Sequence, residues 1–105
     1  MEKFYLAGLR MIPGIGNILL RKIVEYYGSA EQAWRSNSRE LHEHGILDER
    51  VSNNLVVYRE KISIHKLAQQ LQNKNIQICT FGDPEYPVLL RTIFDPPVIL
   101  FYPRG

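Results

Sequence analysis

The sequence predicts a mostly α-helical bundle that hands over to the strand-helix-strand opening of an α/β unit. Two observations carry this. Residues 1–75 keep apolar side chains at helical spacing, punctuated by glycine, proline and capping residues. After Asn75 the composition turns to that of strands, and Val98-Ile99-Leu100-Phe101-Tyr102 has no polar position. A strand apolar on both sides is normally covered on both faces, as in a parallel α/β sheet. The expected division is a helical domain over 1–75 and a strand-helix-strand fragment over 76–105. The chain of 105 residues therefore reads as one small domain plus the start of a truncated neighbour.

Each element has its own signal. Phe4, Tyr5, Leu6 and Leu9 give a short first helix an apolar side, and Pro13-Gly14-Ile15-Gly16 stops it. From Asn17 the pattern resumes with Ile15, Ile18, Leu19, Ile23 and Tyr27 as the core stripe and Asn17, Arg21 and Glu25 opposite. Gly28 suits a left-handed C-terminal cap, and Ser29 an N-cap for a third helix through Trp34. Ser38 predicts the same for a fourth helix ending near Gly45. Asp48 caps a fifth carrying Val51, Leu55, Tyr58 and Ile62. Ile64, Leu67, Ala68 and Leu71 are out of phase with that set. A break at Ser63, itself an N-cap, explains the change, and a single bent helix is the alternative.

Ile76-Gln77-Ile78-Cys79-Thr80 has strand composition. Asp83-Pro84 starts a turn and Tyr86-Pro87 forces extended geometry at Tyr86. Val88 to Ile93 fits a short helix, ended by Asp95-Pro96-Pro97, where neither proline donates a backbone hydrogen bond.

Several function classes drop out. The apolar and charged fractions, 45% and 23%, are those of a globular chain and not of a disordered one. The net charge of +2 lacks the strongly basic footprint of a nucleic-acid coat. No apolar run approaches the roughly 18 residues of a membrane helix, and Glu2, Lys3 and Arg10 spoil a signal peptide. With Cys79 as the sole cysteine, a reducing, cytoplasmic setting is expected. Cys79 sits in an apolar run and reads as a core residue. His42 and His44 face nearly opposite ways on a helix, and His65 has no ligand partner at metal spacing, so no metal and no cofactor are expected. No nucleophile elbow is present, and the aromatic residues are spaced like core, with a base-stacking platform as second choice.

Ile12-Pro13-Gly14-Ile15-Gly16-Asn17 resembles the helix-hairpin-helix element. Its glycines permit close approach and unusual backbone angles. The unpaired amides opening the next helix, with the positive end of the helix dipole behind them, would hold a phosphate without reading a base. Arg21 and Lys22 lie one turn on, which makes Gly14, Gly16, Asn17, Arg21 and Lys22 the candidate DNA-binding residues. Residues 1–28 hold four basic and two acidic residues, whereas 29–50 hold three basic and five acidic, so an anion should prefer the hairpin side. The same turn can also simply join two packed helices of a five- to six-helix SAM-like bundle. Leu20 stands where DNA-binding versions of the element usually keep a small residue. Helix-hairpin-helix glycosylases and lyases share only this hairpin, because nothing downstream is similar to their catalytic aspartate segment.

The second constellation is more specific. Gly82-Asp83-Pro84-Glu85-Tyr86-Pro87, then Leu90, Ile93, Asp95-Pro96-Pro97, Leu100-Phe101 and Gly105, resembles the opening segment of the DprA/Smf family, the DNA-processing protein A family. The Pro-Gly-Ile-Gly hairpin, Tyr27-Gly28-Ser29 and the helix with Trp34 agree upstream, so the resemblance covers essentially the whole chain. It implies a non-catalytic protein. In this family a SAM-like helical domain precedes a Rossmann-like domain that binds single-stranded DNA, dimerises, and helps load the RecA recombinase in natural transformation. The segments that carry that DNA site would follow Gly105, so none of its residues transfers. The resemblance implies structural roles for Tyr86, Pro87, Asp95, Pro96 and Pro97. Rigid prolines and an aspartate able to cap backbone amides would fix how the helical domain enters the sheet. This segment alone is then an accessory piece, in weak DNA contact or docking a partner, or a purely structural or protein-interaction domain.

Overall fold

The computed structural model describes residues 1–103, so Gly105 of the motif lies outside the described residues. In chain order these form α1 (Glu2–Arg10), α2 (Asn17–Tyr27), α3 (Ala30–Arg35), α4 (Arg39–Glu43), α5 (Glu49–Lys61), α6 (Ile64–Asn73), β1 (Ile76–Thr80), α7 (Val88–Arg91) and β2 (Ile99–Pro103). The mostly helical class and the order of elements agree with the sequence reading.

α1 is the hub. Five consecutive residues, Tyr5 to Leu9, are buried, and a helix covered on all sides sits inside its bundle. It packs against α2, α3, α6 and both strands. Gly8 permits this: a Cβ there would lie 2.6 Å from Ile64 Cδ1 and 3.2 Å from the Trp34 ring. The core continues without a break from Leu9, Ile12, Leu20, Ile23 and Leu55 into Ile78 and Ile99 of the strands.

The caps follow their chemistry. Gly28 has φ +89° and its N–H reaches the Val24 carbonyl. The Ser29 hydroxyl accepts from Gln32 N, the Asp48 carboxylate from Val51 N, and the Ser63 hydroxyl from Lys66 N. Ile62 and Ser63 are both extended, so the phase change is a break between two helices and not a bend. Glu2 adds a cap from a distance, its carboxylate accepting from the first amides of α3, Ala30 N and Glu31 N.

Three expectations are corrected. Ser38 does not cap α4. It is already in the helical region, whereas a cap needs extended backbone, and Asn37 Oδ1 accepts from Arg39 N instead. The buried face of α2 runs through Leu20 and Ile23, with Tyr27 half-buried, while Ile18 is 53% exposed. Leu20, Ile23 and Tyr27 share one face at i, i+3, i+7, and Ile18 lies two residues off that stripe.

The third correction concerns the sheet. β1 and β2 pair antiparallel, Ile76 opposite Pro103 and Thr80 opposite Ile99, and not as a parallel β-α-β. A parallel return must carry the chain back along the whole strand. Residues 81–98 are long enough to do so, but the one helix they form, α7, is a single turn that does not run back along β1. The link instead closes on itself: Phe81 N donates to the Val98 carbonyl at 2.9 Å, and the Tyr86 hydroxyl to the Pro97 carbonyl at 2.7 Å. The chain returns where it left, so β2 runs the other way. Nor is β2 fully covered: burial fades along it, from buried Ile99 to exposed Phe101 on the same face, with Leu100 and Tyr102 on the other face half-buried.

Candidate nucleic-acid interface

The hairpin between α1 and α2 is anchored by Ile12 and Ile15, both buried, with Ile15 N donating to the Ile12 carbonyl at 3.1 Å. Asn54 Nδ2 of α5 donates to the Pro13 carbonyl at 3.1 Å, and Arg10 Nη1 to the Ile15 carbonyl at 3.2 Å. The tip is thus held from two helices.

Its two glycines do different things. Gly14 has φ +94°, and a Cβ on it would sit 2.7 Å from Val51 Cγ2, so this position needs glycine twice over. Gly16 has φ −92° and open space where a Cβ would point. It is the N-cap of α2, and no side chain satisfies the helix's first amides. The first intrahelical bond runs from Leu20 N to the Gly16 carbonyl, and no acidic residue stands in the first turn.

The five candidate DNA-binding residues are not all gathered around these amides. Gly14, Gly16 and Asn17 form the turn, and Lys22 is exposed. Arg21 turns away: its Nη2 donates to the Pro96 carbonyl at 3.0 Å and its Nη1 lies 4.0 Å from Asp95 Oδ1. Asp95 Oδ1 is buried without a hydrogen bond, so Asp95 caps no amide through it and faces Arg21 instead. A groove of about 520 Å³ separates the hairpin from β2, lined by Arg10, Met11 and Asn17 on one side and Pro97, Leu100 and Phe101 on the other. Sequence reasoning passed over Arg10 and Phe101 here, because no spacing rule joins residue 10 to residue 101.

The downstream motif forms one knot. Tyr86 is 1% exposed, and its ring meets Phe81 edge-on at 5.3 Å. The Arg91 guanidinium lies over both rings, 5.0 Å and 5.1 Å from their centroids, and its Nη2 donates to the Asp83 carbonyl at 2.7 Å. The Asp83 carboxylate accepts from Thr80 N at 2.8 Å, finishing β1. Pro87 is the N-cap of α7, and Pro97 receives the Tyr86 hydroxyl.

Other groups contribute no chemistry to this site. Cys79 is buried, and burial first, then the fields of Asp83 and Glu85, pushes its thiol up, away from the nucleophilic thiolate. Among the described residues no three His, Cys, Asp or Glu side chains gather as metal ligands. No described helix is long and apolar enough to cross a membrane.

The chain is similar to Protein Smf of a Synechocystis species, 28% identical over 101 residues, which cover 96% of this chain and 25% of that protein. It spans about a quarter of the length of the relative it matches. No family model matches, and no solved structure matches. An alignment of 101 of the 105 residues takes in the hairpin side and the Tyr-Pro and Asp-Pro-Pro side together. Those motifs and that alignment fall on the same residues, and over nearly its whole length the chain is similar to this Smf protein.

Proposed function

We propose that this segment is the non-catalytic N-terminal module of a DNA-processing protein. Its main task is to seat the opening of a Rossmann-like domain against a SAM-like helical domain. The proposed division is 1–75 and 76–105. In the intact protein the DNA ligand would be single-stranded, the partner the RecA recombinase in natural transformation, and dimerisation would rest on the remaining domain. The observation that carries this reading is the clasp from Arg21 to Pro96 and Asp95. The hairpin helix spends its best-placed cation on the junction motif, where a phosphate clamp would leave it free. A charged donor on a backbone carbonyl, half exposed, is worth about 0.5–1.5 kcal/mol, enough to bias an orientation.

One observation favours a second, weaker role in DNA contact. The amides opening α2 are uncapped, Gly16 leaves room beside them, and Lys22 makes no ion pair among the described residues.

A titration with single- and double-stranded oligonucleotides at low salt tests both roles. Weak binding that falls steeply with salt, and is lost in Lys22→Glu, supports the phosphate contact. No salt-dependent binding, with no change in Arg21→Glu plus Lys22→Glu, removes it. Thermal unfolding tests the clasp separately. Arg21→Ala should lower stability by about 0.5–1.5 kcal/mol where Lys22→Ala changes it little. Equal, negligible effects would remove the seating role.

A further inference from the structure

Away from the hairpin, α5 shares an open cavity of about 660 Å³ with the stretch that leads into α4. Arg39 and Arg59 line it, together with Asn37, Ser38, Ser52 and Asn53. Every one of these six carries a hydrogen-bond donor, and no carboxylate lines the cavity.

Arg59 is rigidly set. Its Nη1 donates to the Trp34 carbonyl at 2.9 Å and to the Ser36 carbonyl at 2.6 Å. That holds the guanidinium by one corner and leaves Nη2 and Nε for another acceptor. Neither Arg39 nor Arg59 has a carboxylate within 4.0 Å among the described residues. Burial lowers the pKa of Arg59 from its ordinary value, and the fields of Tyr27 and Glu60 only partly offset that. Neither of those two residues lines the cavity. A partly buried guanidinium with no carboxylate at ion-pair distance is a costly arrangement that a bound anion relieves. Ser38 borders the cavity, and its hydroxyl caps no helix amide, which leaves it available as a donor there.

We propose that this cavity is a phosphate-binding site, with Arg39 and Arg59 as a two-guanidinium clamp and Ser38, Ser52 and Asn53 as neutral donors. Forked guanidinium donors match the tetrahedral oxygens of a phosphoryl group. The half-exposed side chains of Val56 and Val57 border the cavity and offer an apolar edge to a sugar or base attached to that phosphate. The site lies beside a segment, 29–50, whose overall charge is negative, and of its three arginines Arg39 lines the cavity. It is independent of the hairpin: Val51 and Asn54, which meet Gly14 and Pro13, leave α5 on its other side.

The test is an amide-shift titration of the folded chain with inorganic phosphate, against sodium chloride at matched ionic strength, repeated with AMP and with a short oligothymidylate. Saturable shifts at Asn37, Ser38, Ser52 and Asn53 are expected with phosphate and not with chloride. Arg39→Gln should weaken binding at least about fivefold while the remaining spectrum stays folded. Arg59 also supports two carbonyls, so Arg59→Lys, which keeps a charge but loses the fork, is the second variant and should weaken binding as well. Tighter binding of the oligonucleotide identifies a polynucleotide backbone as the source, and tighter binding of AMP a free nucleotide. Either upholds the site. Shifts that match the chloride control, shifts confined to Asn17–Leu19, or affinity unchanged in folded Arg39→Gln would overturn it.

Discussion

At the scale of single residues, the hairpin glycines illustrate how much one position can mean. Pro13-Gly14-Ile15-Gly16 offers two glycines with the same apparent warrant. Only Gly14 combines positive φ with a neighbour inside Cβ distance, whereas Gly16 has neither. Gly14→Ala should therefore cost about 1–3 kcal/mol, through left-handed strain and displacement of Val51. Gly16→Ala should cost less than about 1 kcal/mol. Urea denaturation of both variants checks this, and equal losses would mean that Val51 gives way freely. If an anion approaches the opening of α2, Gly16→Ala should still weaken DNA binding, so the two substitutions separate packing from contact. The pair could be found in the sequence but not ranked, because the partner that ranks them, Val51, lies in a different helix.

At the scale of elements, the boundaries written in local chemistry were legible, and those written in tertiary contact were not. Gly28, Ser29, Asp48 and Ser63 act within three or four residues of themselves, and each could be read directly. Ser38 has the same side chain as Ser63, but its backbone is already helical. Its conformation is set by burial against the bundle, which no local rule sees. Ile18 reads as core in the sequence and is exposed in the fold, because an apolar residue near helical spacing is ambiguous until the facing helices are known. The contrast is measurable. Asp48→Ala and Ser63→Ala should each lower stability by about 0.5–2 kcal/mol through loss of a cap. Ser38→Ala, which removes no cap, should change it by less than about 0.5 kcal/mol. A loss at Ser38 as large as at Asp48 would show a hydroxyl bond that holds α4. The antiparallel sheet was hidden for a related reason. Val98 to Tyr102 has the composition of a covered strand, but direction is decided by how the link closes, and that closure rests on Tyr86 reaching Pro97.

At the scale of the whole molecule, the described chain is well buried at one end and apolar on its surface at the other. α1 is enclosed, and its contacts reach β1 and β2. Beyond β1, Val88, Leu89, Ile93 and Phe94 are exposed, Phe94 at 101% and Leu89 at 81%. So many adjoining large apolar groups in water are uncommon on an isolated domain. Among the described residues β2 pairs with β1 only, which leaves its other edge open. Its inner face is nonetheless fixed, because Ile99 joins the same core as Leu9. Opening should therefore be graded and not all-or-none by segment. Amides of α1 should exchange only through global unfolding, those of β1 somewhat faster, and those of β2 and α7 by local opening at much lower free energy. Native-state hydrogen exchange of the monomer resolves this order. Leu89→Ser and Phe94→Ser, which touch only exposed positions, should leave α1 protection unchanged while reducing self-association at high concentration. Protection in β2 equal to that in α1 would mean that the sheet is as firmly closed as the bundle. The exposed α7 face would then be a property of that one-turn helix alone, and not the uncovered flank of a larger sheet.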